Sequence, residues 1–308
     1  MSTQPLPTLK SARRSRFALR WYTWLLLVVA AAYGLAFAMH WDDRGLLWVQ
    51  ERFESTARKQ ESIWLPDYHA VIDAKPLPGM EDDEASDLAY DPQSKTLFSV
   101  MGKKPFLVEL TLQGDVLRKM PLVGWSNPEG VTVMGNGLLA IADERAHLIT
   151  IVKVDAATRE LNIADFPKYD LGPSKNQNKA FEAIAWDSRN QQLLLGLERP
   201  PALFTWKSDG QKLIGDKQAL ANDELDVRNL SALAIDPRTR HTLVLSADSH
   251  LLLELDEKGE QVSFMTLLRG FNGLKKTIPR AEGVTMDEAG TLYIVSEPNL
   301  FYRFEKQK

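Results

Sequence analysis

Polar and apolar positions along this chain fall into three regimes. From Trp21 to Met39 (WYTWLLLVVAAAYGLAFAM) 19 consecutive residues carry no charge, and a helix of that length crosses a hydrocarbon core of roughly 30 Å. From Asp42 to about Leu65 the chain is charged, with Leu46, Leu47, Val49 and Phe53 at partly helical spacing and no Gly or Pro between Leu46 and Trp64. That pattern predicts a short amphipathic stalk at residues 41–65, in its plainest form a solvated spacer. Beyond residue 66 the helical period is lost. Short β-branched runs alternate with turn residues over 66–308, which predicts an all-β domain.

Within that domain one phrase recurs. It begins at Ser86 (SDLAYDP), Glu129 (EGVTVMG), Glu182 (EAIAWDS), Ser231 (SALAIDP) and Glu282 (EGVTMDE), at intervals of 43, 53, 49 and 51 residues. Each phrase is followed by a second apolar run (TLFSV, LLAIA, LLLGL, TLVLS, LYIVS) and then a third (FLVEL, LITIV, LFTWK, LLLEL, LFYRF). Repeats of that size in a β context are blade-sized, so the expected fold is a five-bladed β-propeller behind one transmembrane helix. A sixth blade would have to be hidden in the loops. After the last third run only Glu305 to Lys308 remain, one strand short of a four-stranded blade. The segment YHAVIDA at 68–74 is the expected partner, closing the ring and covering its open edge.

The first position of the phrase alternates between serine and glutamate. The innermost strands of a propeller line its channel, so Ser86, Glu129, Glu182, Ser231 and Glu282 are expected to form one axial ring. Three carboxylates facing one another repel unless they are protonated or share a cation. A hard divalent ion resolves the conflict, and calcium, which takes six to eight oxygens in irregular geometry, suits this donor set better than magnesium or zinc. The alternative is that the glutamates bind backbone amides or channel water. A second acidic column, Glu144, Glu198, Asp248 and Glu297, lies 15, 16, 17 and 15 residues beyond the corresponding ring positions. With Arg145 and Arg199 beside two of them, these acids read as salt-bridged turn residues, or as part of a substrate cleft.

Charge and composition then narrow the partners. The 308 residues carry a net charge of −4, which offers no basic face for nucleic acid. With no cysteine, disulfides, thiolate metal sites and cysteine nucleophiles are excluded. Lys10, Arg13, Arg14, Arg16 and Arg20 precede the apolar run, while Asp42, Asp43 and Arg44 follow it. By the positive-inside rule, residues 1–20 form a cytoplasmic tail, 21–40 span the inner membrane once, and the domain at 66–308 is periplasmic or otherwise extracytoplasmic. Trp21, Tyr22, Trp24 and Trp41 sit at the two ends, where aromatic rings favour the interface. A cleaved signal peptide is the competing reading, because Ala36-Phe37-Ala38 has the form of a cleavage site.

The strings DERAHLITI, FEAIAW and RAEGVTMDEAGTLYIVSEPNLFYRF, together with the N-terminal anchor, resemble the SdiA-regulated, or YjiK-like, family of bacterial envelope proteins. The resemblance covers roughly residues 66–308 and is most specific from Ala281 to Phe304. It implies a five-bladed propeller distantly similar to NHL-repeat proteins, with a calcium site and no established biochemical activity. Carried over by motif, the ligands it implies are Glu129, Glu182 and Glu282.

Catalytic signatures are missing: there is no G-x-S-x-G elbow, no H-E-x-x-H, no phosphate-cradling loop and no dinucleotide fingerprint. His40, His69, His147, His241 and His250 all lie away from the ring phrases, as surface or packing residues would. Two functions remain. One is a membrane-anchored binding or scaffold module whose blade-end loops, such as 171–180 and 270–280, recognise an unidentified protein or small-molecule ligand. The other is a calcium-dependent hydrolase, lactonase- or phosphoesterase-like, with calcium as Lewis acid and Glu144, Glu198 or Glu297 as base.

Overall fold

The computed structural model describes residues 20–38, 41–172, 181–220, 225 and 227–307. Two compact units divide the chain, residues 1–45 and 46–308. In the first, helix α1 (Trp21–Ala38) is long and apolar enough to cross a membrane and has no buried residue. Lys10, Arg13, Arg14 and Arg16, on which part of the topology expectation rests, lie outside the described residues, as does His40.

The second unit is a five-bladed propeller. Four strands build each blade in the order the repeats predict, starting with Ala85–Asp91, Thr96–Met101, Phe106–Leu110 and Val116–Val123 in blade 1. The innermost strands of blades 2 to 5 are Pro128–Gly135, Phe181–Asp187, Ala232–Ile235 and Ala281–Met286. Each packs on the next, and the fifth packs back on the first. Blade 1 also gains Leu161–Asn162, paired in parallel with its outer strand.

Closure follows the predicted route. Tyr68–Pro76 pairs antiparallel with Leu300–Lys306, from Tyr68 opposite Lys306 to Pro76 opposite Leu300, and so supplies the fourth strand of blade 5. The terminal edge is therefore paired rather than exposed.

Why the phrase repeats is visible in its parts. Its apolar positions feed five separate clusters, one at each blade junction, so the core is five wedges rather than one centre. Its terminal aspartate makes the turn: Asp187 accepts from the Arg189 and Asn190 amides, Asp236 from that of Thr239, and Asp287 from those of Ala289 and Thr291. Such aspartates stabilise a turn by hydrogen-bonding the backbone just ahead of them. In blade 2 the phrase ends in Gly instead, and Gly135, Asn136 and Gly137 turn the chain at positive φ. The second phrase position is Gly or Ala in blades 2 to 5 for a different reason. A Cβ on Gly283 would stand 2.7 Å from the Asp87 backbone, because the inner strands crowd together at the axis.

Residues 46–65 depart from the expected solvated spacer. Helices α2 (Asp42–Phe53) and α3 (Thr56–Glu61) run into a short turn, and Leu47, Ile63 and Leu65 are buried in the propeller's wedges. Buried Glu254 of blade 4 holds this segment: its carboxylate accepts from the amides of Ile63 at 2.7 Å and Trp64 at 3.0 Å, and from the Ser263 hydroxyl at 2.5 Å. Glu51 in turn accepts from the Phe264 amide at 2.7 Å on the outer strand of the same blade. A charged, low-periodicity segment can pack when a few of its polar groups pair with an otherwise open sheet edge. That pairing is not visible in local sequence.

Candidate functional site

Ring and second column meet at one end of the channel. Antiparallel pairing sets the start of each innermost strand beside the end of the second, as in Pro128 opposite Asp143, Phe181 opposite Leu197 and Ala281 opposite Ser296. The acids that follow the second strands therefore emerge next to the ring. Glu129, Glu182 and Glu282 interact electrostatically with one another and with Glu144, Glu198 and Glu297.

Burial dominates the protonation of this cluster. It pushes the Glu182 carboxyl up to about 10, with Glu198 and Glu129 adding to the rise. Burial likewise raises Glu129 to about 8, against a hydrogen bond from Ser86 that lowers it. Glu282 rises to about 7, held back by Arg280 and the Ser231 hydroxyl. Without a cation, charge in this desolvated cluster is so costly that protons are retained into the neutral range. Of the two ring serines, Ser86 donates its hydroxyl to the Glu84 carbonyl at 3.2 Å, and Ser231 accepts from the Asn229 side-chain amide at 3.0 Å and the Ala247 backbone amide at 3.3 Å.

The sequence reading missed three parts. Asp87, fully buried directly after Ser86, occupies the place that Gly or Ala holds in the other blades. Its carboxylate accepts from the amides of Leu88 at 2.7 Å and Val131 at 2.8 Å, tying blade 1 to blade 2, and burial pushes it well above the usual carboxylate range. Arg280 brings a guanidinium to the ring, with Nε 3.2 Å from Glu282 and Nη1 2.6 Å from Glu297. Asn127 and Asn229 stand two residues ahead of their ring positions, as does Arg280. Asn127 donates to Glu144, while Asn229 donates to Ser231 and accepts from the Asp248 amide. Extending the repeat alignment two residues upstream finds this column.

Gly102 shapes one side of the ring. A Cβ there would meet Glu129 Oε1 and Ser86 Oγ at 2.9 Å and Asn127 Oδ1 at 3.1 Å, so three oxygens converge on space that any side chain would fill. By donor chemistry this cradle fits a hard, oxygen-seeking cation. Among the described residues, however, no three acidic or histidine side chains are gathered closely enough to hold a metal as they stand.

The second column is paired. Glu198 and Asp248 share Arg199 at 2.9 and 2.5 Å across blades 3 and 4, and Glu297 pairs with Arg280. Glu144 is held by Asn127 at 3.0 Å. His241 lies 2.5 Å from Glu254, beneath the segment of residues 46–65 and not in the ring. Loop 270–280 is pinned to the closing strand, with Asn272 donating to the Tyr68 carbonyl and Leu274 and Ile278 buried. Of loop 171–180, residues 173–180 lie outside the described residues.

A family model described as SdiA-regulated matches residues 60–305. Among solved structures the chain is similar to Myxococcus xanthus glutaminyl cyclase, at a TM-score of 0.52 and 14% identity over 78% of this chain and 97% of that one. At that identity the likeness speaks for the fold alone. A chain from a crystal structure of a nidogen/laminin complex aligns over 69% of this chain and 72% of its own at 17% identity, with a TM-score of 0.46.

Proposed function

The chain belongs to the SdiA-regulated family, and from that premise we propose a membrane-anchored, extracytoplasmic propeller that binds calcium at the acidic end of its channel and serves as a binding or scaffold module. The observation that carries this reading is the convergence of Glu129, Glu182 and Glu282, from three blades, in a desolvated cluster that holds protons for want of a counter-charge. Those glutamates would hold the ion, with Ser86 and Ser231 completing an oxygen shell. Bound calcium would supply the positive charge that lets all three ionise. Capture requires the carboxylates to turn towards one another, and Arg280 to give up part of its hold on Glu282.

Anchoring rests on α1 and on the basic residues that precede it, which favour a cytoplasmic N-terminus and a periplasmic propeller. Binding is preferred to hydrolysis because the acids that could act as base are engaged: Glu144 by Asn127, Glu198 by Arg199 and Glu297 by Arg280. A general base needs a free lone pair within reach of the attacking water.

The test is a calcium titration of residues 46–308, followed by melting temperature, with Glu129, Glu182 and Glu282 each changed to Gln. Calcium is expected to raise the melting temperature of the parent and of none of the three variants, through the linkage of binding to folding. A parent that melts identically in calcium and in chelator would reject the metal reading and leave a metal-free scaffold.

A further inference from the structure

Helix α2 turns one face to the propeller and exposes large side chains elsewhere. Leu47 is buried between blades 3 and 4, and Glu51, one turn on, accepts from the Phe264 amide. At 3.6 residues per turn, Trp48 and Arg52 flank that side and Val49 and Phe53 lie across from it. There Trp48 is 53% exposed, Val49 44% and Phe53 85%, while the Arg52 guanidinium lies 4.5 Å from the Trp48 ring centre. A docked helix normally turns its apolar residues inwards. Here Leu47 and Glu51 make inward contacts, while Trp48 and Phe53 are two large aromatic residues left exposed.

Position along the chain says what covers that face. Trp48 follows the end of α1, at Ala38, by ten residues, so if α1 spans the bilayer α2 is tethered near its surface. Exposed Trp and Phe beside an arginine are the side chains that favour the headgroup region, the rings entering the acyl boundary and the guanidinium meeting phosphate. We propose that the Trp48–Val49–Arg52–Phe53 face of α2 lies in the headgroup layer of the membrane that α1 crosses, so that the segment read as a spacer instead seats the propeller on the bilayer. This rests on the anchor reading above, and its occupant is lipid rather than a protein partner.

The chain contains no cysteine, so single labels can be placed cleanly. In the full chain, Phe53→Cys, Trp48→Cys and, as a control in blade 3, Ile214→Cys at a residue 45% exposed would each carry a polarity-sensitive fluorophore. The proteins would be reconstituted into phosphatidylethanolamine/phosphatidylglycerol vesicles and floated. The expected result is blue-shifted emission at 53 and 48, quenched by spin-labelled lipid and shielded several-fold from iodide relative to 214. Vesicles that float with labels at 48 and 53 as open to iodide as 214 would overturn the membrane contact and leave the anchor standing. A chain that fails to float would overturn the anchor, and the contact with it.

Discussion

At the residue scale, the chemistry is set by how few positive charges face the ring carboxylates, of which Glu282 is buried and Glu129 and Glu182 are partly buried. Because burial raises Glu129, Glu182 and Glu282 to about 8, 10 and 7, each binds a proton in the folded state that it has lost in the unfolded chain above about pH 4.5. Proton uptake on folding makes stability fall as pH rises from there through the folded values. The ion-free protein is therefore expected to melt at progressively lower temperature between about pH 5 and 8, and Glu182→Gln should flatten that decline. A melting series across that range checks it; a flat profile for the parent would contradict the buried, proton-holding ring. Calcium must displace those protons, so its affinity should climb over the same interval. Gly102→Ala fills the space where Glu129, Ser86 and Asn127 converge, and is expected to weaken the calcium response at least tenfold, read by titration against the parent.

At the scale of elements, the short segments matter through what they pair with. Leu47→Ala removes a buried side chain joining α2 to blades 3 and 4, at an expected cost of about 2–5 kcal/mol, which urea denaturation of residues 46–308 would read. Glu254→Ala should be worse than its size suggests, because the Ile63 and Trp64 amides and Ser263 lose a common acceptor. Gly283→Ala presses a methyl group on the Asp87 backbone, and about 1–3 kcal/mol of overpacking is expected. The blades themselves were legible in the sequence, since strand and inter-blade wedge are local patterns repeated five times and the turn aspartate recurs in four of the five phrases. Residues 46–65 were not. Their place depends on Glu254 and on the edge of blade 4, about 200 residues away in the chain.

For the whole molecule, closure is the decisive contact, since Tyr68–Pro76 and Leu300–Lys306 join the two ends of the repeat array in one sheet. Deleting residues 66–76 is expected to lower the melting temperature of the entire propeller and to expose blade 5 to protease. A truncated protein melting with the parent would refute that role. Chain pattern alone determined the number of blades, their strand order, the closing strand and the five ring positions, because strand alternation and repeat spacing are properties of consecutive residues. It also marked the apolar run that α1 forms. Folding in three dimensions decided which charges meet. Arg280, Asp87 and Asn127 join the ring only when strands from different blades converge on one axis, and burial there turns ordinary glutamates into proton-holding ones. Electrostatic coupling and desolvation depend on distance through space, which the order of residues along the chain does not carry.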